Sequence, residues 1–243
     1  MNDKTFILNC PVDLYDVDTA FEKAQKSMEN GKNFHIVTLN PEMVMNAQKD
    51  ENFLNILKSS DLNIADGVGI SIALKLRGIN IQRIRGIDFS RSLIELCAKN
   101  NLKLALLGSS EEVILKTREN ILKKYPQINI VFCENGYFKD ENEVISKIQN
   151  SAPNVLLVGL GSPKQENLIR KLNNVLNSCI MIGVGGSFDV FSGVVKESPK
   201  IYRTLGLEWL YRTLSQPERL KRIFPTLPIF LLKCIMETVK KGQ

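Results

Sequence analysis

The chain has 243 residues, 44% of them hydrophobic and 24% charged, the composition of an ordinary soluble globular protein and long enough to bury a core without disulfide or metal support. Its five cysteines, Cys10, Cys97, Cys133, Cys179 and Cys234, are odd in number and scattered, with no C-x-x-C pair; this argues against a disulfide framework or a zinc site and for a reducing compartment. The net charge is +6, yet eight Lys/Arg against three Asp/Glu between Arg203 and Gln243 put +5 in that tail, which suggests an anionic partner: nucleic acid, a membrane surface or a phosphorylated substrate.

Met1–Asp13 shows no basic stretch followed by a long apolar run, so no signal peptide is expected. Phe6–Leu8 reads as a first short strand, and Asp18–Asn30 as a helix with Ala20, Phe21, Ala24 and Met28 on one face and Gly31 as its stop. Phe34–Leu39 is a strand, and Pro41 opens a helix at the first turn, where proline is tolerated. Leu62–Ala65 is a strand running into Asp66-Gly67-Val68-Gly69, with a helix to about Leu76. Phe89–Lys99, Glu111–Lys124, Glu141–Gln149 and Pro163–Leu176 read as helices; Leu102–Leu107, Ile128–Cys133, Val155–Leu160 and Cys179–Val184 read as strands. This alternation implies a Rossmann-like α/β domain, a mostly parallel sheet with helices on both faces. After Val184 the rhythm stops. The tail reads as helices broken by Pro217, Pro225 and Pro228, so the expected division is residues 1–202 as the catalytic domain and 203–243 as a helical appendage. No apolar run approaches the roughly 20 residues that span a bilayer.

In open α/β sheets, ligands bind beyond the carboxyl ends of the strands. Five strand ends here carry glycine or small polar residues: Thr38 and Asn40; Asp66-Gly67-Val68-Gly69; Gly108-Ser109-Ser110; Gly161-Ser162; and Gly183-Val184-Gly185-Gly186. Each alone reads as a turn; together they point to one cleft. No G-x-G-x-x-G or phosphate-loop pattern is present, which weakens dehydrogenase and phosphoryl-transfer readings. Asp16-Val17-Asp18 has metal-binding D-x-D spacing but precedes an amphipathic helix, where aspartate is a common N-cap. His35 lies in an apolar strand and reads as a core residue; with no second histidine, triad and zinc mechanisms lack a base or ligand set.

The chain resembles the WecG/TagA/CpsF family of bacterial glycosyltransferases. The resemblance rests on Thr38-Leu39-Asn40-Pro41, Ala65-Asp66-Gly67-Val68-Gly69, Arg83 with Gly86 and Asp88, Asn135-Gly136-Tyr137-Phe138, Gly159 to Glu166, Gly183 to Asp189, and Gly206 to Arg212 with Pro217, Arg219 and Arg222 behind. It implies an inverting, metal-independent transferase needing no cofactor. The donor it implies is a UDP-sugar, N-acetylmannosamine or its uronic acid, and the acceptor an undecaprenyl-diphosphate-linked N-acetylglucosamine, for teichoic acid, common-antigen or capsule assembly. It further implies that the C-terminal appendage docks on the inner face of the cell membrane. Two positions depart from the family: Glu197-Ser198-Pro199 stands where Arg-Ala-Pro is usual, and Arg85 stands where a small residue is common.

On that footing Asp66 is expected to act as the base that takes the acceptor proton, with capping of the following helix as its other reading. Arg83, Arg212, Arg219 and Arg222 are expected to meet the diphosphate. Thr38, Asn40 and Gln165 are expected to bond hydroxyls, and Gly185 and Gly186 to admit the nucleotide. Two other readings stay open, a nicotinamide-dependent oxidoreductase and a non-catalytic, membrane-attached partner of another transferase. A nucleic-acid partner is disfavoured because basic and aromatic residues do not interleave. The oligomeric state is open, a homo-oligomer included.

Overall fold

In the computed structural model the described residues are 3–204, 206–215 and 220–241, and the side chains of 212–225 and 241 are not among them. The chain opens on a hairpin, β1 (Lys4–Ile7) and β2 (Cys10–Asp13), turned at Leu8 and Asn9 with φ of 47° and 65°. Both turn residues thus hold the positive φ of a tight hairpin. The single strand expected at Phe6–Leu8 is corrected to this pair, because Leu8 carries no turn signal. There follow α1 (Val17–Glu29), β3 (Phe34–Leu39), α2 (Pro41–Ala47), α3 (Glu51–Ser59), β4 (Leu62–Ala65), α4 (Val68–Lys75) and α5 (Gly86–Asn100). The alternation continues through β5 (Lys103–Gly108), α6 (Glu111–Lys124), β6 (Asn129–Glu134), α7 (Glu141–Ser151), β7 (Val155–Gly159), α8 (Lys164–Leu172), β8 (Ile180–Gly183) and the short α9 (Ser187–Phe191). Helices α10 (Lys200–Thr204), α11 (Glu208–Ser215) and α12 (Leu220–Lys241) come last.

Six strands form one sheet in the order β4-β3-β8-β7-β5-β6, every pairing parallel. Side chains alternate across it with the period of two that a strand imposes. Phe34, Ile36, Leu104, Leu106, Val155, Leu157, Ile180 and Ile182 face the layer that holds Phe89, Leu93 and Ile114. On the other face Val37 and Leu39 meet Met43, Phe53 and Ile70, while Leu107 and Val158 meet Ile148, Leu168 and Ile169. The expected α/β class is the observed one. Asp16 caps α1, its carboxylate accepting from the Thr19 amide at 2.8 Å. His35 is buried, and that burial lowers its imidazole to about 4, so it is a neutral core residue at physiological pH.

The C-terminal helix differs from expectation. Pro225 and Pro228 were expected to interrupt it, yet α12 runs through both as one element of 22 residues. An interior proline costs a helix about 3 kcal/mol through a lost hydrogen bond and a crowded turn. Burial opposes that cost: Phe230 and Cys234 are fully enclosed, with Leu227 and Leu231 packed against the same cluster of α2, α4 and the sheet. A buried ring of this size contributes on the order of 1.5–3 kcal/mol. The far end of α12 is tied down by Glu237, which pairs with Arg77 and accepts from the Leu8 amide at 3.0 Å. Pro217 lies outside the described residues.

Phe230→Ala is expected to destabilise the protein by about 3–5 kcal/mol through the cavity it leaves. A lowered urea midpoint would register it; an unchanged midpoint would show that α12 adds nothing to the core.

Candidate active site

Because all six strands run the same way, their trailing loops meet at one edge. There they line a cleft of about 510 Å³ that draws on five strand ends: Asn40 after β3, Asp66 after β4, Ser109 after β5, Gly161 after β7 and Gly185 after β8. The far wall comes from α5 and the C-terminal segment, through Arg85, Glu197, Glu208 and Trp209.

Asp66 sits directly at the end of β4, its amide donating to the Leu39 carbonyl at 2.9 Å. Its carboxylate does not cap α4, whose N-cap is Gly67 with no side-chain bond. Instead Oδ2 accepts from the Gly86 amide, the first residue of α5, at 3.2 Å. Position 86 must be small for this to happen: a Cβ there would lie 2.6 Å from Thr38 Cγ2 and 3.1 Å from Asp66 Oδ2. Burial raises the Asp66 carboxyl above its ordinary value, and the Gly86 amide and the nearby Arg83 charge offset only part of that. Asp66 lines the cleft.

Thr38 lines the cleft and donates its hydroxyl to the Gly183 carbonyl at 3.2 Å, joining the ends of β3 and β8. Asn40 caps α2, its Oδ1 accepting from the Met43 amide at 3.1 Å, which leaves Nδ2 as its donor group. Gln165 is buried, and both ends of its amide are engaged by protein: Oε1 accepts from the Gly185 amide at 3.1 Å and Nε2 donates to Glu166 Oε1 at 2.8 Å. Its direct work is therefore to hold the loop carrying Gly185 and Gly186, both of which line the cleft. Gly183 belongs to this arrangement, since a Cβ there would run into the Gln165 amide. Burial raises the Glu166 carboxyl above its usual range.

Arg83 is not among the lining residues; it pairs with Glu208 at 3.2 Å and donates to the Arg203 carbonyl at 3.2 Å. Arg212 and Arg222 lie in α11 and α12 with side chains outside the described residues, and Arg219 lies outside them altogether. The two family departures prove to be neighbours: Arg85 Nη2 meets Glu197 Oε1 at 3.1 Å. Glu197 also binds Arg91 at 2.7 Å and Arg203 at 2.9 Å. Burial alone would raise its carboxyl, but the Arg91 and Arg85 guanidiniums outweigh that and pull it down to about 2. Arg85, Glu197, Glu208 and Asp189 were not foreseen as site residues. The opposite signs of the unusual residues at 85 and 197 were the available signal. Among the described residues no group of three or more His, Cys, Asp or Glu is placed to hold a metal.

A parallel α/β sheet with a glycine-lined cleft at its carboxyl edge and a carboxylate at one strand end is the arrangement of a Rossmann-like ligand-binding protein. Residues 5–243 match the glycosyl transferase WecG/TagA/CpsF family, and the chain belongs to it. It is 36% identical over 197 residues to the N-acetylglucosaminyldiphosphoundecaprenol N-acetyl-beta-D-mannosaminyltransferase of Bacillus spizizenii strain W23, covering 81% of this chain and 77% of that one. It is 35% identical over 207 residues to the enzyme of the same name in Bacillus subtilis strain 168, covering 85% of this chain and 80% of the other.

The raised Asp66 carboxyl has a consequence for stability. Ionising it costs the fold free energy, a penalty absent below the unfolded-state value of about 3.9 and present once pH exceeds the folded-state value. Asp66→Asn, which keeps the shape and removes the charge, is expected to melt at or above the wild-type temperature at pH 7, with the gap closing in acid. Thermal unfolding at both pH values checks this, and a lower melting temperature at pH 7 would contradict it.

Proposed function

We propose that this chain moves N-acetylmannosamine or a related sugar from a UDP donor to undecaprenyl-diphosphate-linked N-acetylglucosamine in cell-wall or surface polysaccharide synthesis, with inversion and without a metal. The names of the two Bacillus relatives support the sugar and the acceptor. The observation that carries the reading is the Asp66 carboxylate, held by the Gly86 amide on the floor of a cleft that the ends of five strands line, three of them with glycines. In a single displacement the acceptor hydroxyl oxygen forms a bond to the anomeric carbon as that carbon's bond to the diphosphate oxygen breaks. The hydroxyl proton passes to Asp66, and UDP leaves with the bonding pair. A base of this kind must reach the hydroxyl and be ionised, and burial raises the pH at which the Asp66 carboxyl ionises. Thr38 and Asn40 would orient hydroxyls, and Arg212, Arg219 and Arg222 would meet the diphosphate.

Residues 203–243 form the proposed docking appendage for the inner face of the cell membrane. Ile229, Leu232, Ile235, Met236 and Val239 are exposed along α12 at helical spacing, beside exposed Lys233 and Lys240. Such a face suits an interfacial helix; among the described residues no helix is long and apolar enough to cross a membrane. At about 1 kcal/mol per basic residue near an anionic leaflet, a net +5 tail adds at most about 5 kcal/mol, less for any arginine turned to substrate.

A panel of UDP-sugars with a short-chain lipid-diphosphate acceptor, with and without EDTA, tests the reaction; no transfer from any of them would refute it. Asp66→Asn is expected to lower kcat by about 10²- to 10⁴-fold. The wild-type acid limb of kcat/KM should lie above the ordinary carboxyl range, because activity needs the ionised form and burial raises the pH at which it appears; near-normal turnover in the folded variant would remove the base role. Replacing Leu232, Ile235 and Met236 by serine should release the protein from anionic liposomes while leaving it folded, and undiminished liposome binding would end the docking role.

A further inference from the structure

Outside Asp66, the densest set of charges at the cleft is an ion-pair network on the wall facing it. Arg83, Arg85, Arg91 and Arg203 supply four guanidiniums, and Asp88, Glu197 and Glu208 supply three carboxylates, so the network holds one positive charge in excess. Arg85 is its hub. It reaches all three carboxylates: Asp88 at 2.6 Å through Nη1, Glu197 at 3.1 Å through Nη2 and Glu208 at 2.6 Å through Nε. Among the described residues that line the cleft, Arg85 is also the sole cation, against Glu42, Asp66, Asp189, Glu197 and Glu208.

We propose that Arg85 is a ligand of the donor's diphosphate, and that Glu197 is the counter-ion that holds Arg85 against the cleft wall and limits how tightly the diphosphate is gripped. This rests on the UDP-donor reading and adds to it a described cation that lines the cleft, beside Arg212, Arg219 and Arg222, which that reading already turns to the diphosphate. A diphosphate entering a cleft lined by five carboxylates meets repulsion unless a fixed cation offsets it. Arg83 is occupied outside the lining by Glu208 and the Arg203 carbonyl. Arg85 is inside it, and its planar fork suits two phosphate oxygens at once. It is also the residue immediately before Gly86, whose amide holds Asp66, so the leaving group and the base are indexed by consecutive residues at the start of α5.

Glu197 explains why the grip stays moderate. It is shared among three arginines, so a diphosphate at Arg85 competes with a carboxylate already in place, and the carboxylate returns when the product departs. Removing its charge while keeping its shape should therefore tighten binding. Removing the fork of Arg85 while keeping its charge should loosen it.

The test measures dissociation constants of UDP, uridine and inorganic diphosphate for the wild-type chain, Arg85→Lys, Arg85→Met and Glu197→Gln. Uridine shares the nucleoside contacts and lacks the phosphates. Arg85→Lys should weaken UDP and diphosphate by about tenfold, the loss of one charged hydrogen bond of ordinary strength, and leave uridine unchanged. Arg85→Met should weaken them further. Glu197→Gln should tighten UDP several-fold and lower kcat as product release slows. Arg85→Met removes the hub of the network, although Asp88, Glu197 and Glu208 each keep another arginine; it is the variant at most risk of misfolding, so Arg85→Lys and Glu197→Gln carry the test on their own. If the wild-type chain prefers UDP over uridine and both conservative variants keep the same preference, the inference is overturned and the donor reading stands. If the wild-type chain binds neither UDP nor diphosphate, both fall.

Discussion

The hydrogen bond from the Gly86 amide to the Asp66 carboxylate connects two parts of the fold that the chain brings together only after leaving the sheet and returning to it. Asp66 ends β4; Gly86 begins α5. The bond requires that no side chain occupy position 86, that Thr38 fill the space beside it, and that β3 and β4 end level with each other. The helix N-terminus supplies partial positive charge to a carboxylate that burial disfavours, which is how a charged group can be kept in this position at all. Thr38 then reaches on to Gly183, and Gln165 reaches from α8 to Gly185. The cleft floor is thus a chain of single bonds between strand ends.

The opposite wall is held by charge. Glu208 on α11 and Glu197 ahead of α10 bind arginines that belong to α5 or stand just before it. The C-terminal segment is therefore fastened to the same helix start that carries the Asp66 contact. A change in the ion pairs would be felt at the carboxylate through one turn of helix. Half-buried pairs of this kind gain from mutual sharing, since each carboxylate answers several guanidiniums and a lone buried charge would be costly.

Much of this was legible in the order of residues. The parallel α/β architecture follows from alternating apolar strands and amphipathic helices, both local patterns. The position of the cleft follows from small residues after five strands, because parallel strands must deliver their ends to one side. Asp66 was legible as a candidate but its partner was not: the local choice was a cap on α4, and the amide it meets is 20 residues away. Gln165 looked like a ligand-binding amide, and only coordinates show both its ends engaged. Arg85 and Glu197 each looked anomalous alone; 112 residues separate them, and no spacing rule joins them. Pro225 and Pro228 misled because proline's local penalty was weighed without the core contacts of Phe230 and Cys234.

The amino-terminal hairpin has an effect beyond its size. Asp13 accepts from the Asn63 amide at 2.7 Å, so one outward backbone donor of β4 is already consumed by a side chain. Lys4 holds that carboxylate in turn. An unsatisfied strand border invites another chain to add to it, and here that border is interrupted from within the molecule at Asn63. The opposite border is β6, half-exposed along most of its length and paired on one side only, with β5; among the described residues no such carboxylate lies across it, so the two margins of the sheet are finished differently.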